Sequence, residues 1–141
     1  MKLNIPRKSM LVLVLAVLGI SSFAQMPEVQ TRPEMSCMMG GIGSDESKAL
    51  RAEAKKWPLN IEFSEHMGNK DAWVSGVRLK IIDAQKNTIF EESCNGPLFL
   101  AKLAPGSYDI VASYQEIEKK RQVKIVDGKS ERISMNWVIK K

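Results

Sequence analysis

The stretch Leu103–Tyr114 constrains this chain most, because it reads as a tight turn followed by a strand with one buried face. Pro105 presets φ, and Gly106 accepts the positive φ that such turns often demand. Beyond the turn, Tyr108, Ile110, Ala112 and Tyr114 alternate with Ser107, Asp109, Val111 and Ser113. A period of two puts each set on its own side of a pleated strand.

The same period organises the chain from Leu59 onward. Leu59, Ile61 and Phe63 alternate with Asn60, Glu62 and Ser64. A loop carrying Gly68, Asn69 and Asp71 follows. Trp73, Ser75, Val77, Leu79 and Ile81 then share a face, with Arg78 and Lys80 opposite. Asp83 to Asn87 is a polar hairpin connection, Thr88 to Glu92 a short strand, Asn95-Gly96-Pro97 a turn and Leu98 to Leu103 another strand. Gln122 to Val126 is a strand, Asp127-Gly128 a hairpin signal, and Ile133, Met135, Trp137 and Ile139 alternate to the end. About seven short strands in roughly 80 residues, punctuated by turns, are the signature of an antiparallel β-sandwich. Alternation, in place of continuous apolar runs, favours antiparallel pairing.

Before the strands, the helix signals are concentrated in residues 44–57. Ser44 is a good N-cap, Asp45 and Glu46 suit the helix dipole, and Lys48 to Lys56 consists mostly of strong helix formers. Ala49, Leu50, Ala52 or Ala54, and Trp57 can share a face, and Pro58 ends the run. A short helix over about Asp45 to Lys56 is expected. Residues 25–43 contain Pro27, Pro33 and no sustained period, and read as a flexible lead-in. The sandwich itself is expected over 58–139.

Residues 1–24 read as a secretory signal peptide. Lys2, Arg7 and Lys8 open it, Leu11 to Ile20 is apolar apart from Gly19, and Ser22-Phe23-Ala24 places small residues where a signal peptidase cuts, before Gln25. The apolar run is about half of the roughly 20 residues that span a bilayer, so no stable membrane anchor is expected after cleavage. A periplasmic or secreted location follows. The whole chain has 21 basic and 16 acidic residues, net +5; the leader holds three of the basic ones and no acid, leaving 18 against 16, net +2. That balance, spread along strands, is a poor footprint for nucleic acid.

The segment Gly96–Ile110, with its Leu-x-Pro-Gly-x-Tyr pattern over Leu103 to Tyr108, resembles the carboxypeptidase regulatory-like domain family. Gly40-Gly41-Ile42-Gly43, Asp45-Glu46 and the helix are similar to the start of small exported proteobacterial proteins with this domain. The resemblance covers about Trp57 to Trp137 and implies a transthyretin-like, seven-stranded antiparallel sandwich preceded by one short α-helix. Pro105, Gly106 and Tyr108 carry the fold motif, with Tyr108 at the core edge and no role in catalysis. The family's domains serve as accessory modules, and a single His here excludes a carboxypeptidase-like zinc-ligand set.

Few residues suggest chemistry. Cys37 and Cys94 are the only cysteines, and in an oxidising compartment they are disulfide candidates closing a loop of roughly 57 residues, worth about 4 kcal/mol by chain entropy; two unlinked thiols are the alternative. Met35, Cys37, Met38 and Met39 are soft ligands of the kind that select Cu(I), with His66-Met67 as further donors. His66 beside Glu65 lacks the second placed group and nucleophile that acid–base work needs. Gly41-x-Gly43 before a helix lacks the preceding strand and third glycine of a phosphate loop, and Asp45 and Glu46 would repel an anion. Trp57, Trp73, Tyr108, Tyr114 and Trp137 can pack a core or face a ligand. Glu116 to Arg121 is a charge run suited to a solvated edge. No nucleophile–base–orienter set appears, so a hydrolase is disfavoured. These readings converge on a non-catalytic exported binding module without a cofactor. It would engage a protein, peptide or glycan of the cell envelope, with a periplasmic copper-handling protein as the alternative.

Overall fold

The computed structural model describes residues 26–140. Residues 1–24, the expected signal peptide, lie outside them. The described chain is a β-sandwich carrying one helix, with elements β1 (Gln30–Thr31), β2 (Ser36–Gly40), α1 (Ser44–Ala54), β3 (Leu59–Met67), β4 (Lys70–Trp73), β5 (Arg78–Ile82), β6 (Thr88–Ser93), β7 (Leu98–Lys102), β8 (Gly106–Tyr114), β9 (Ile117–Ile125) and β10 (Glu131–Ile139). One sheet has the order β1-β2-β7-β3-β10, with β4 also pairing β3; the other runs β6-β5-β8-β9. Ten strands thus stand where seven were expected.

The inward faces are those that the alternation marks. Leu59, Ile61 and Phe63 of β3, Leu79 and Ile81 of β5, Tyr108, Ile110 and Ala112 of β8, and Ile133, Met135 and Trp137 of β10 form one core between the sheets. Tyr108 closes the core edge, and its hydroxyl donates to the Ala104 carbonyl at 2.6 Å, tying the Pro105-Gly106 turn to its strand. Gly106 has φ 152°, and burial pushes the Tyr108 hydroxyl above its ordinary pKa.

Pairing direction departs from expectation at β10. It lies parallel to β3 over its whole length, from Glu131 beside Leu59 to Ile139 beside Met67. Alternation encodes which face is buried and is silent on direction, so the all-antiparallel reading does not hold for this pair. Asp127-Gly128 likewise makes a turn, but β9 pairs β8 while β10 pairs β3, so the turn carries the chain from one sheet to the other and makes no hairpin. A hairpin does form between β8 and β9 through Gln115 and Glu116, both at positive φ (47° and 63°). Neither residue is Gly or Asn, which is why the sequence carries no turn signal there.

The largest correction concerns the expected flexible lead-in. Of residues 26–43, Ser36–Gly40 form β2, antiparallel to β7, and Gln30–Thr31 form β1 at the sheet edge. Met35, Cys37, Met38 and Met39 are all buried. A strand apolar on both faces has no period of two, so Cys37-Met38-Met39 looks aperiodic in sequence. The prolines flank β1 and β2 without interrupting them.

The helix packs on the outer face of the larger sheet. Leu50 and Trp57 cover Met38 of β2 and Leu98 and Leu100 of β7, forming a second apolar layer. This explains why Leu98 to Ala101 are buried on both sides of their strand. Gly43 occupies the N-cap, and Ser44 is already helical, its carbonyl accepting from the Ser47 hydroxyl at 3.0 Å. The backbone N–H of Gly41 donates to the Glu46 carboxylate at 2.8 Å. A side-chain anion thus occupies the place a bound phosphate would need.

Candidate functional site

The helix covers only part of the outer face, and a groove opens where its cover ends. Its volume is about 340 Å³. Leu50 and Ala54 of α1 and Leu98 and Leu100 of β7 make an apolar floor. Across from the helix run the outward positions of β3 and β10, Asn60, Glu62 and Arg132. The parallel register sets Arg132 beside Asn60 and Ser134 beside Glu62.

Glu62 organises the rim. Its Oε1 accepts from Arg51 Nη2 at 3.1 Å and from Trp73 Nε1 at 2.7 Å; its Oε2 accepts from Arg132 Nη2 at 3.0 Å. The Arg51 guanidinium also lies 4.4 Å from the Trp73 ring centroid, a cation–π distance. With Lys55, the rim holds three cations against one carboxylate. Trp73 remains 45% exposed. The alternation alone predicts it on the inward face with Val77, Leu79 and Ile81. The backbone breaks phase between Trp73 and Val77, with Gly76 at φ 77°, so Trp73 ends the β3–β4 hairpin facing solvent.

Beneath the rim, Asn60 is only 8% exposed. Its Nδ2 donates to the Trp57 carbonyl at 3.2 Å and to Ser130 Oγ at 2.7 Å, while Oδ1 has no partner among the described residues. Ser130 in turn donates to the Trp57 carbonyl at 2.7 Å. This network joins the helix end to β3 and β10 and fixes the groove floor.

The other candidates divide. Cys37 and Met39 face the inter-sheet core, whereas Met38 faces the helix layer. Strand alternation therefore sends Met38 to the side of β2 opposite Cys37 and Met39, while Met35 belongs to the same inter-sheet core as those two. Among the described residues no cluster of three or more His, Cys, Asp or Glu is placed to hold a metal. His66 Nδ1 lies 2.8 Å from Asp71 Oδ1 on the exposed β3–β4 hairpin, with Met67 at the end of the same strand. Glu65 accepts instead from the Tyr114 hydroxyl at 3.0 Å. Burial and that carboxylate raise the Tyr114 pKa. Trp57, Tyr108 and Trp137 are buried in the two apolar layers, and Trp137 donates its Nε1–H to the Ile117 carbonyl at 2.9 Å. Trp73 is thus the exposed aromatic of the set.

Cys37 and Cys94 are both fully buried and unlinked. Burial, with Cys37 and Glu92 nearby, pushes the Cys94 thiol up to about 12. Burial raises Cys37 too, against the opposing pull of the Arg32 guanidinium. Sequence reasoning singled out both cysteines and Trp73, but missed Arg51, Asn60, Glu62 and Arg132. The available signal was that Asn60 and Glu62 alternate with the apolar residues of β3 and must face outward. Among the described residues no helix is long and apolar enough to cross a membrane. Comparison with protein-family models, curated proteins and solved structures finds no match for the chain.

Proposed function

We propose that the protein is a non-catalytic, exported binding module of the carboxypeptidase regulatory-like type, and that a protein or peptide partner docks in the groove beside α1. One observation carries this reading: an apolar floor and a rim with excess positive charge meet in one groove of about 340 Å³, with the exposed Trp73 held against the rim by Glu62 and Arg51. Binding sites commonly combine such an apolar surface with a few placed polar groups. The occupant this chemistry suits is a segment with two or three apolar side chains flanked by carboxylates. Pairing along a sheet edge is the weaker route, since the β9 edge carries Lys119, Lys120, Arg121 and Lys124, charges that guard against strand addition.

Trp73 supplies the test. It is the exposed one of three tryptophans and contacts the rim residues Arg51 and Glu62, so its emission should respond when a ligand engages them. Titration with a leucine-rich acidic peptide should give a saturable change that a lysine-rich counterpart does not give. Trp73→Phe should silence the signal, and Lys55→Glu with Arg132→Glu should weaken binding at least tenfold. Emission indifferent to the acidic peptide, or binding indifferent to the rim reversal, refutes the reading. A mature mass beginning at Gln25 tests export separately.

A further inference from the structure

We propose that the fold builds a disulfide site, in which Cys37 and Cys94 close into a bond that staples β2 to the chain just beyond β6, one sheet to the other. The geometry points to this from two pinned ends. At one end, Arg32, just before β2, pairs with Glu92 of β6 at 2.5 Å. At the other, the backbones of Gly40 and Gly96 touch so closely that a Cβ on Gly96 would collide with the Gly40 carbonyl. The segments 32–40 and 92–96 are thus tied to each other at both ends, and each carries its cysteine between the two ties. Both cysteines belong to the same inter-sheet core and neither is exposed. Cys94 is held by its own backbone, its N–H donating to the Val77 carbonyl at 2.8 Å and its carbonyl accepting from Gly76 at 2.7 Å. The proposal rests on the exported reading only for its compartment; the pairing itself is a property of the fold.

The chemistry is thiol–disulfide exchange. Cys37 is the attacking sulfur, because it lies on β2, the segment whose undocking exposes the buried site. The Cys37 thiolate attacks one sulfur of a disulfide-bearing oxidant, and the oxidant's other sulfur leaves as a thiolate. The Cys94 thiol loses its proton and attacks Cys37 in the mixed disulfide, expelling the remaining oxidant sulfur. Two protons and two electrons have then left the protein's thiols, and the oxidant is a dithiol. Because both sulfurs are enclosed in the finished fold, exchange happens while β2 is undocked, and the completed bond is shielded from reductant.

The experiment uses the full mature chain, reduced, denatured and refolded in a buffer of reduced and oxidised glutathione. Thiols are then counted by alkylation under denaturing conditions and intact mass. The expected result is a folded species two hydrogens lighter with no alkylated thiol, and one that resists millimolar dithiothreitol until it is unfolded. The bond should shift the unfolding equilibrium about a thousandfold relative to the reduced form, as chain entropy gives for a loop of this length. A folded protein that keeps two alkylatable thiols at equilibrium with oxidised glutathione overturns the proposal. So does a bond that native-state reductant removes as fast as it removes one from an exposed model peptide. The mass of the N-terminus, read in the same spectrum from periplasmic material, reports on export independently.

Discussion

The two faces of the larger sheet differ in what covers them. The inner face meets the other sheet, so Leu59, Ile61, Phe63, Ile133, Met135 and Trp137 share one apolar core with it. The outer face meets a helix of 11 residues that covers Met38, Leu98 and Leu100 and then stops. Past its end the strands turn polar, with Asn60, Glu62 and Arg132, and the groove forms at that boundary. A sheet sealed on one side and half-sealed on the other places a groove on a rigid support without loosening its core.

The contrast predicts graded costs. The largest effect is expected at Ile110, fully buried between the sheets. Ile110→Asp places an unpaired charge there, and no cooperative unfolding transition should remain. A soluble variant with a sharp melt would mean that the inner face is misassigned. Next come paired truncations. Phe63→Ala, against Trp137 at 6.3 Å between ring centroids, should cost about 4 kcal/mol in chemical denaturation. Leu50→Ala in the helix layer should cost about 2 kcal/mol, since a layer open on one side relaxes around the lost volume. Equal costs would erase the distinction between the faces.

Alkaline pH probes the inner face by another route. Cys94 ionises near 9.0 as a free thiol and near 12 in the fold. A raised folded pKa means that the unfolded thiol ionises first. The contribution is therefore complete below pH 9 and lost as pH rises toward 12. Melting temperatures of reduced protein should fall more steeply over that window than those of Cys94→Ala, in which Cys37 still titrates, and the disulfide-closed form, with neither thiol free, should fall least. Parallel slopes for all three would place Cys94 outside the core. The smallest effect belongs to the β8–β9 turn, whose two residues are solvent-facing. Gln115→Asn with Glu116→Gly relieves two positive-φ residues and should stabilise by about 1 kcal/mol, raising the melting temperature by several degrees.

The sandwich was legible because burial on one face imprints a local period. Ile61 and Phe63, Leu79 and Ile81, and Ile133 and Met135 each announce an inward face within a few residues. β2 was illegible for the converse reason: Met38 is buried by the helix and Cys37 by the sheets, so neither face of the strand stays polar. Trp73 was misplaced because one continuous alternation was assumed across Gly76, where the backbone changes phase. The candidate site was least legible. Arg51, Glu62 and Arg132 look like ordinary surface charges until three elements bring them together.

Residue order alone thus specified the β class, the inward faces, the helix and the turn at Pro105-Gly106, all of which arise from interactions between near neighbours. The parallel placement of β10, the recruitment of β2, the approach of Cys37 to Cys94 and the groove were decided by packing. Each joins residues tens of positions apart, such as Asn60 with Ser130, and no local period records which distant element will lie alongside.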